Sequence, residues 1–210
     1  MIVGWIGGWG ISPAELRPHA EAHAPGARHV LLAPVAGAAE AAADCDAVVA
    51  WSLGARRLLE LAARGGRPFP PKVLLLAPFP SFCSEDGACG KVSRTQVRWL
   101  RRQLRQDPFA ALADFRARAG LPPAAVSDEL PYAPELLEEG LDRLEEPAGA
   151  GLVTFARRGL PSGWEAYVGD RDPLLDAAGV ADALKGCAIV EGAGHALADF
   201  LGPAPAPHAL

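Results

Sequence analysis

The amino-acid sequence predicts an α/β fold: a mostly parallel sheet of about six strands with helices on both faces and a helical cap. Two observations carry this prediction. Short, almost continuous apolar runs recur along the chain, as expected of strands that are buried on both faces. Segments of helix length and helix-forming composition separate most of these runs, which is the spacing that parallel strands require.

The apolar runs predict six strands. They are residues 2–6, 29–33, 47–50, 72–77, 165–169 and 187–191. Helices are predicted at 13–23, 55–64 and 174–185, with 196–201 as a further candidate. In a doubly wound sheet of this kind, functional side chains gather at the carboxyl ends of the strands. The core is expected to comprise residues 1–83 and 161–201.

Residues 84–160 interrupt this alternation, because several helical patterns follow one another there without a convincing strand. Ser93 and Gln96 fit a capping box at the start of the first helix. Asp107 fits the N-cap of a second helix, and a third is predicted at about 134–146. An insertion of this size after one strand predicts a helical cap over the core.

Length and composition favour a soluble globular protein of one domain, with 210 residues, 50% hydrophobic and 21% charged. No stretch reaches about 18 uninterrupted apolar residues, and the first ten residues lack a signal-peptide pattern, so a cytoplasmic location and no membrane partner are expected. The net charge of −5 argues against general nucleic-acid binding. The proline-rich tail over 202–210 is expected to be disordered.

The stretch DAVVAWSLGARR, residues 46–57, joins a strand directly to a helix. Residues 47–50 suit a buried strand, whereas residues 55–63 are strong helix formers, and no loop separates them. A serine on so abrupt a turn, flanked by small residues, is where α/β-hydrolases expose their nucleophile. Ser52 is therefore the candidate nucleophile.

Two later turns offer the partners that a nucleophilic serine needs. GDRDPLLD follows the fifth predicted strand and contains Asp170 and Asp172, and EGAGH follows the sixth and ends on His195. The order Ser, Asp, His is that of the α/β-hydrolases. Asp172 is preferred as the triad carboxylate, because Pro173 after it favours the start of a helix and so leaves the carboxylate on the loop. Asp170 is the alternative. A hydrolase fold that carries these residues by coincidence is the competing interpretation.

The loop after the first strand is a candidate oxyanion hole. One donor would be the backbone N–H of Leu53, the residue after the candidate nucleophile, and the other would be the backbone N–H of Trp9 in the loop GGWG. The ring of Trp9 would also line an acyl pocket. This loop fits neither the dinucleotide-binding nor the P-loop pattern. The four cysteines lack the spacing of a zinc site or a disulfide framework. Neither a cofactor nor a metal is expected.

The first predicted cap helix is strongly basic. Residues 91–120 contain eight basic and two acidic residues, a local charge of +6, although the whole chain carries −5. Helical periodicity places five arginines on one face: Arg94, Arg98, Arg101, Arg102 and Arg105. This arginine stripe suits an acidic protein or a phosphate group. A solvated basic face is the alternative.

Four aromatic residues near or within the cap are candidates for the walls of an acyl-chain channel: Phe79, Phe82, Trp99 and Phe109. A pocket for an aliphatic chain needs apolar walls and few polar groups. Ordinary packing within the cap explains these residues equally well.

Six motifs together resemble the pimeloyl-[acyl-carrier protein] methyl ester esterases of biotin synthesis, members of the α/β-hydrolase superfamily: IGGWG, AWSLGA, APFPSFCSEDG, LEEGLDRLE, GDRDPLLD and GAGH. The resemblance implies a carboxylesterase that demethylates a pimeloyl ester carried on acyl carrier protein. It implies Ser52, Asp172 and His195 as the catalytic triad, with the N–H groups of Trp9 and Leu53 as oxyanion donors. The arginine stripe, Phe82 and Trp99 would then bind the substrate and its carrier protein.

Three departures from this family are visible. Ala50 replaces the first glycine of the elbow, Gly7 stands where such enzymes usually have histidine, and the leading strands of a full hydrolase sheet are missing. The first two leave the triad untouched, and the third predicts an unusual sheet edge. A broad short-chain carboxylesterase, a thioesterase and a non-catalytic carrier-protein binder with the same fold are the alternative functions.

Overall fold

A six-stranded, fully parallel sheet forms the centre of the computed structural model and confirms the predicted fold class. The structure describes residues 1–65, 68–87, 89–124 and 129–201, so the predicted tail lies outside the described residues. The strands are β1 (Ile2–Ile6), β2 (Arg28–Leu32), β3 (Ala47–Trp51), β4 (Lys72–Leu76), β5 (Trp164–Gly169) and β6 (Cys187–Val190). Each lies within one or two residues of its predicted range.

The strands are arranged in the order β2-β1-β3-β4-β5-β6. The chain therefore winds outward from β1 to β2, returns past β1 to β3, and continues in the opposite direction to β6. Such sheets bind their ligands outside the carboxyl ends of the strands, at the point where the winding direction changes. That point lies between β1 and β3, which carry the glycine loop and Ser52 at their carboxyl ends.

Five helices follow the core strands: α1 (Pro13–His23), α2 (Ala38–Ala43), α3 (Leu53–Arg64), α8 (Ala177–Ala183) and α9 (Leu197–Phe200). Helix α2 was not predicted, because its sequence AAEAAA has no apolar stripe. Helix α8 begins three residues later than predicted. Its N-cap is Asp176, whose side chain accepts a hydrogen bond from the Gly179 N–H.

Among the described residues between β4 and β5 are a short 3₁₀ helix (Ser84–Asp86) and four α-helices, α4 (Arg94–Gln106), α5 (Pro108–Arg118), α6 (Pro134–Glu145) and α7 (Ala150–Arg158). The predicted capping box at Ser93 and Gln96 and the N-cap at Asp107 are both present. Helix α4 packs on both α5 and α6, whereas α7, which was not predicted, packs on α3. The division into a core and a cap over 84–160 stays a prediction.

The pleat of the strands divides the core into two apolar layers. Trp5 and Val49 face one side of the sheet, where they join α1, α8 and the α4–α6 helices. Ile6 and Val48 face the other side, where they join α2, α3 and α7. All four cysteines are described and free. No helix within the described ranges is long and apolar enough to cross a membrane.

Gly54 at the start of α3 lies in tight contact with the end of β1. A Cβ atom on Gly54 would lie 2.6 Å from the Gly7 carbonyl oxygen and 2.7 Å from that of Ile6. We expect Gly54→Ala to lower the free energy of unfolding by about 1–3 kcal/mol, because the backbone must shift to admit the methyl group. Urea denaturation measures this change.

Gly151 in α7 provides the matched control, since the nearest atom to a Cβ there would lie 4.0 Å away. Gly151→Ala is expected to raise the free energy of unfolding by about 0.5–1 kcal/mol, because alanine loses less conformational entropy in a helix. Equal stabilities of the two variants would contradict the packing proposed around Gly54.

Candidate active site

Ser52 occupies a strained turn between β3 and α3. Its backbone has φ 55° and ψ −119°, a conformation that side chains disfavour and that costs about 1–3 kcal/mol. The turn is held from both sides: the Ser52 N–H donates to the Leu76 carbonyl at 2.9 Å, and the Gly54 N–H donates to the Gly7 carbonyl at 3.1 Å. The side chain therefore projects from a fixed point at the carboxyl edge of the sheet.

A chain of two hydrogen bonds links the three residues that the sequence predicts as a triad. Ser52 Oγ lies 3.0 Å from His195 Nε2, and His195 Nδ1 lies 2.6 Å from Asp172 Oδ2. In the neutral tautomer that fits this arrangement, Nδ1–H donates to the carboxylate and Nε2 accepts from the hydroxyl. Ser52 is 5% exposed, and the other two side chains are buried. The geometry allows His195 to remove the serine proton.

The structure brings Asp172 against His195 and directs Asp170 elsewhere. The second carboxylate oxygen of Asp172 accepts hydrogen bonds from the N–H groups of Leu174 and Leu175 at 2.8 and 3.0 Å. Asp170 Oδ1 instead accepts from the Gly192 N–H at 2.7 Å. Asp172 is thus fully hydrogen-bonded in its orienting position, while Asp170 ties the loop after β5 to the loop after β6.

The loop that carries His195 is fixed by contacts that the sequence did not reveal. Trp51 donates from Nε1 to the His195 carbonyl at 2.9 Å, and the two rings lie 5.9 Å apart. The Gly194 N–H donates to Asp199 Oδ2 at 2.9 Å. At Gly169, a Cβ would lie 2.2 Å from the Ala193 carbonyl oxygen, so only glycine lets the two loops approach. Trp51 lies next to Ser52 in sequence, but nothing in the sequence predicts that its indole contacts this loop.

The glycine loop after β1 lies directly beside Ser52. A Cβ on Gly8 would lie 3.3 Å from Ser52 Cβ, which is a tight contact, and 3.6 Å from Ser52 Oγ. As far as the described residues extend, neither the Trp9 N–H nor the Leu53 N–H donates to a protein acceptor. Unpaired N–H groups beside a nucleophile are the elements of an oxyanion hole.

Trp9 also anchors the loop to the helices between β4 and β5. Its Nε1 donates to the Leu137 carbonyl at 2.8 Å, and its ring packs edge-on against Phe115 with a centroid distance of 4.7 Å. Gly140 in α6 makes room for the ring, since a Cβ there would lie 2.5 Å from Trp9 Cδ1. The indole is therefore fully buried between helices.

Tyr132 holds the end of the same loop. The Gly10 N–H donates to its hydroxyl oxygen at 2.7 Å. Burial raises the pKa of the Tyr132 hydroxyl above its usual value and outweighs the hydrogen bond from Gly10, which favours the ionised form. The loop is thus held at its tip by Trp9 and at its end by Tyr132.

Most of the arginine stripe is paired within the chain. Helix α6 lies against α4 and presents three carboxylates to it, Glu138, Asp142 and Glu145. Arg98 and Arg101 contact Glu145, Arg101 also contacts Asp142, Arg105 contacts Glu138, and Arg94 contacts Asp86. The hydrogen bond from Arg105 is the main cause of the lowered pKa of Glu138. Only Arg102 of the stripe is exposed without a carboxylate partner in the described chain.

The four candidate channel aromatics divide among three places. Phe82 and Trp99 line one cavity of about 160 Å³. Leu174, two residues after Asp172, lines the same cavity. Phe109 lines a different cavity, and Phe79 is fully buried with its ring 5.3 Å from that of Phe82. A channel lined by all four side chains stays a prediction.

Within the described part of the chain, no group of three or more His, Cys, Asp or Glu side chains is placed to hold a metal ion. The site consists of the three linked side chains and the glycine loop. Such an arrangement can supply a nucleophile with a base, an orienting carboxylate and backbone donors.

Solved structures of other proteins share this fold. The esterase RhEst1 from Rhodococcus sp. ECU1013 is similar, with a TM-score of 0.64 and 16% identity over 95% of this chain and 85% of the other. The esterase EaEST from Exiguobacterium antarcticum has a TM-score of 0.61 and 15% identity over 94% and 86%. A bromoperoxidase from Bacillus anthracis has a TM-score of 0.59 and 14% identity over 94% and 86%.

These similarities define the class of fold, the α/β-hydrolase fold, and at such low identities they establish the fold alone. No protein-family profile matches the chain. No curated protein matches it significantly by sequence.

The strained backbone at Ser52 gives a test that needs no substrate. Glycine adopts positive φ without steric cost, whereas alanine does not. The free energy of unfolding of Ser52→Gly is therefore expected to exceed that of Ser52→Ala by about 1 kcal/mol. This figure already allows for the greater conformational entropy of glycine in the unfolded chain. Thermal unfolding of the two variants measures the difference. An alanine variant at least as stable as the glycine variant would show that the turn is not strained.

Proposed function

We propose that the protein is a serine hydrolase of carboxylic esters. The observation that carries the proposal is the hydrogen-bonded chain from Ser52 through His195 to Asp172, next to the unpaired N–H groups of Trp9 and Leu53. This combination supplies nucleophile, base, orienting carboxylate and oxyanion donors together. Two of the fold relatives are esterases, which agrees with this function.

The first half of the reaction forms an acyl-enzyme. Ser52 Oγ attacks the ester carbonyl carbon while His195 Nε2 takes the hydroxyl proton, and the carbonyl oxygen becomes an oxyanion near the N–H groups of Trp9 and Leu53. Asp172 holds the imidazole in its tautomer and stabilises the imidazolium that forms. His195 then gives the proton to the departing alkoxide oxygen, so the C–O bond breaks and a neutral alcohol leaves.

The second half releases the acid. Water attacks the acyl carbon as His195 takes one of its protons, a second oxyanion forms in the same place, and the proton returns to Ser52 Oγ as the acyl bond breaks. Each oxyanion donor of this kind contributes about 2.7–4 kcal/mol to the transition state. Because the N–H groups of the loop are fixed before substrate arrives, this stabilisation needs no reorganisation during the reaction.

The triad is tested with a pair of aspartate variants two residues apart. Asp172→Asn is expected to lower kcat for a p-nitrophenyl ester by about 10⁴-fold, because the amide no longer favours the productive tautomer of His195. Asp170→Asn is the matched control and is expected to keep kcat within a few-fold, since its carboxylate faces Gly192. Ser52→Ala is expected to abolish turnover while circular dichroism shows a retained fold.

Turnover by Ser52→Ala equal to that of the wild type would disprove the serine mechanism. A serine-directed phosphonate that leaves the folded protein unlabelled would instead favour the non-catalytic alternative. Comparing methyl esters with thioesters of the same acyl chain decides between an esterase and a thioesterase.

A more specific form of this function is the demethylation of a pimeloyl ester on acyl carrier protein, in biotin synthesis. It draws support from the sequence motifs and from the basic surface of α4. That support is reduced by the pairing of Arg94, Arg98, Arg101 and Arg105 with carboxylates of this chain. Paired arginines offer less charge to an acidic partner, so Arg102 would contribute most.

This specific form predicts a selective effect of Arg102. Arg102→Glu is expected to lower kcat/KM for the pimeloyl-carrier-protein methyl ester by about tenfold, because a rim charge that attracts the carrier becomes repulsive. Hydrolysis of a free p-nitrophenyl ester by the same variant should not change. Arg17→Glu on α1 is the control, since Arg17 is also exposed and lies outside the stripe. An equal effect of both variants on the carrier substrate would reject docking on α4.

A further inference from the structure

Lys91 links the segment before α4 to the loop that carries Asp172. Its Nζ donates a hydrogen bond to the backbone carbonyl of Asp172 at 2.7 Å. The two positions are 81 residues apart in the sequence, so no local pattern predicts this contact. The proposed hydrolysis leaves Lys91 without a role, although its ammonium group touches a residue of the triad directly.

Backbone pairing holds Lys91 beside this loop. The Lys91 N–H donates to the Leu174 carbonyl at 2.8 Å, and the preceding residue, Gly90, forms an antiparallel bridge with Leu175. A Cβ on Gly90 would lie 1.6 Å from the Phe82 carbonyl oxygen, so only glycine permits this close approach. The main chain therefore fixes where the Lys91 side chain begins, and it does so without the ammonium group.

The side chain of Lys91 lies among apolar residues at the protein surface. Together with Pro173, Leu174 and Trp99 it lines the cavity of about 160 Å³. Lysine commonly lays its methylene groups along apolar surface while its ammonium group keeps a polar partner. Lys91 as a whole is exposed. Its substitution therefore leaves the core intact, which makes the role of the ammonium group open to experiment.

The Asp172 carbonyl depends on Lys91 for its hydrogen bond. Asp172 is 1% exposed, and no backbone N–H of the described ranges donates to its carbonyl oxygen. A buried carbonyl without a donor is costly. The donor that it receives is an ammonium group, and a hydrogen bond with one charged partner is about twice as strong as a neutral one.

Holding this carbonyl restrains the turn that orients the carboxylate. The carbonyl belongs to the peptide group between Asp172 and Pro173, which leads directly to the N–H groups of Leu174 and Leu175. Those two N–H groups hold Oδ1 of Asp172, and this leaves Oδ2 facing His195 Nδ1 at 2.6 Å. A rotation of the peptide group would displace both sets of contacts, and the bond from Lys91 opposes that rotation.

We infer that Lys91 is a positioning residue for the triad: its ammonium group holds the turn of Asp172, so that the carboxylate keeps His195 in the Nδ1–H tautomer. The tautomer of a histidine is set by the hydrogen bond that its other ring nitrogen makes. Lys91 acts through Asp172 and not on the reacting atoms. The kinetic consequence rests on the proposed hydrolysis, whereas the effect on the imidazole does not require turnover.

The first measurement is kinetic and uses the full-length protein. Lys91→Met removes the ammonium group but keeps an unbranched side chain and the backbone N–H that pairs with Leu174. We expect kcat for a p-nitrophenyl ester to fall about tenfold while KM stays within about twofold, because the base is misplaced and binding is not. Lys91→Arg supplies another charged donor and is expected to restore most of the lost kcat.

Lys185→Met is the matched control. Lys185 is also exposed, and it lies just before β6, at the edge of the sheet opposite to Ser52. This variant loses the same positive charge from the chain and is expected to keep the kcat of the wild type. The melting temperatures of all three variants are recorded, and little change is expected, because both lysines are exposed.

The second measurement needs no substrate. The chemical shifts of the His195 ring nitrogens show which nitrogen carries the proton, and they are recorded on isotope-labelled protein and assigned by their absence from His195→Ala. In Lys91→Met these shifts are expected to move toward those of the Nε2–H tautomer, and in Lys91→Arg they should stay as in the wild type. A purely structural role of Lys91 would lower the melting temperature and leave the shifts unchanged.

Ring-nitrogen shifts in Lys91→Met equal to those of the wild type would overturn the inference, whatever the kcat of the variant. So would a loss of kcat in Lys91→Arg or Lys185→Met as large as that in Lys91→Met. A wild type that hydrolyses no ester would end the proposed function, and the shifts of His195 would then decide on Lys91 alone. The two failures are therefore distinguishable.

Discussion

The contact between the start of α3 and the end of β1 is the constraint on which the candidate site depends. Gly54 lies so close to the carbonyls of Ile6 and Gly7 that no side chain fits between them, and its N–H is bonded to Gly7. This contact fixes the serine turn relative to the glycine loop. The positions of Ser52, the Leu53 N–H and the Trp9 N–H are therefore set by one backbone junction. Asp172 and His195 reach Ser52 from the loops after β5 and β6.

The helices between β4 and β5 support this junction from the opposite side. Leu137 and Phe115 hold Trp9. The segment before α4 is joined to the loop of Asp172 by Lys91. The Lys91 N–H donates to the Leu174 carbonyl at 2.8 Å, and Lys91 Nζ donates to the Asp172 carbonyl at 2.7 Å. Both loops that flank the serine are thus buttressed by residues between β4 and β5. Preorganised donors and a fixed base are the features that such chemistry requires.

The sequence was sufficient for the features that depend on local pattern. Buried parallel strands leave apolar runs, so all six were found, and the motifs around Ser52, Asp172 and His195 marked the residues that the fold brings together. Features that depend on partners distant in sequence were missed. The stripe of arginines on α4 was visible, but its pairing with Glu138 and Glu145 on α6 depends on how two helices pack. Likewise, nothing local distinguishes the buried Arg56 of α3 from an exposed helix residue.

Helices α2 and α7 were missed for a different reason. The sequence AAEAAA carries no stripe, and α7 follows the segment EEPAG without a capping side chain. Both helices are short and are stabilised by packing on α3, and helices of this length are marginal without tertiary contacts. Their presence is a property of the assembled core.

The burial of the Trp9 indole in α6 restricts how this protein can diversify. An inserted segment that only covered a site would be free to drift, and homologous segments could be exchanged between proteins as independent modules. Here the part of α6 around Gly140 is shaped to one aromatic ring of the core, and the residues before α4 are joined to the loop of Asp172. Substitutions on the outward faces of α4 and α6 leave this packing undisturbed, whereas a segment grafted in place of α6 must still make room for the Trp9 ring.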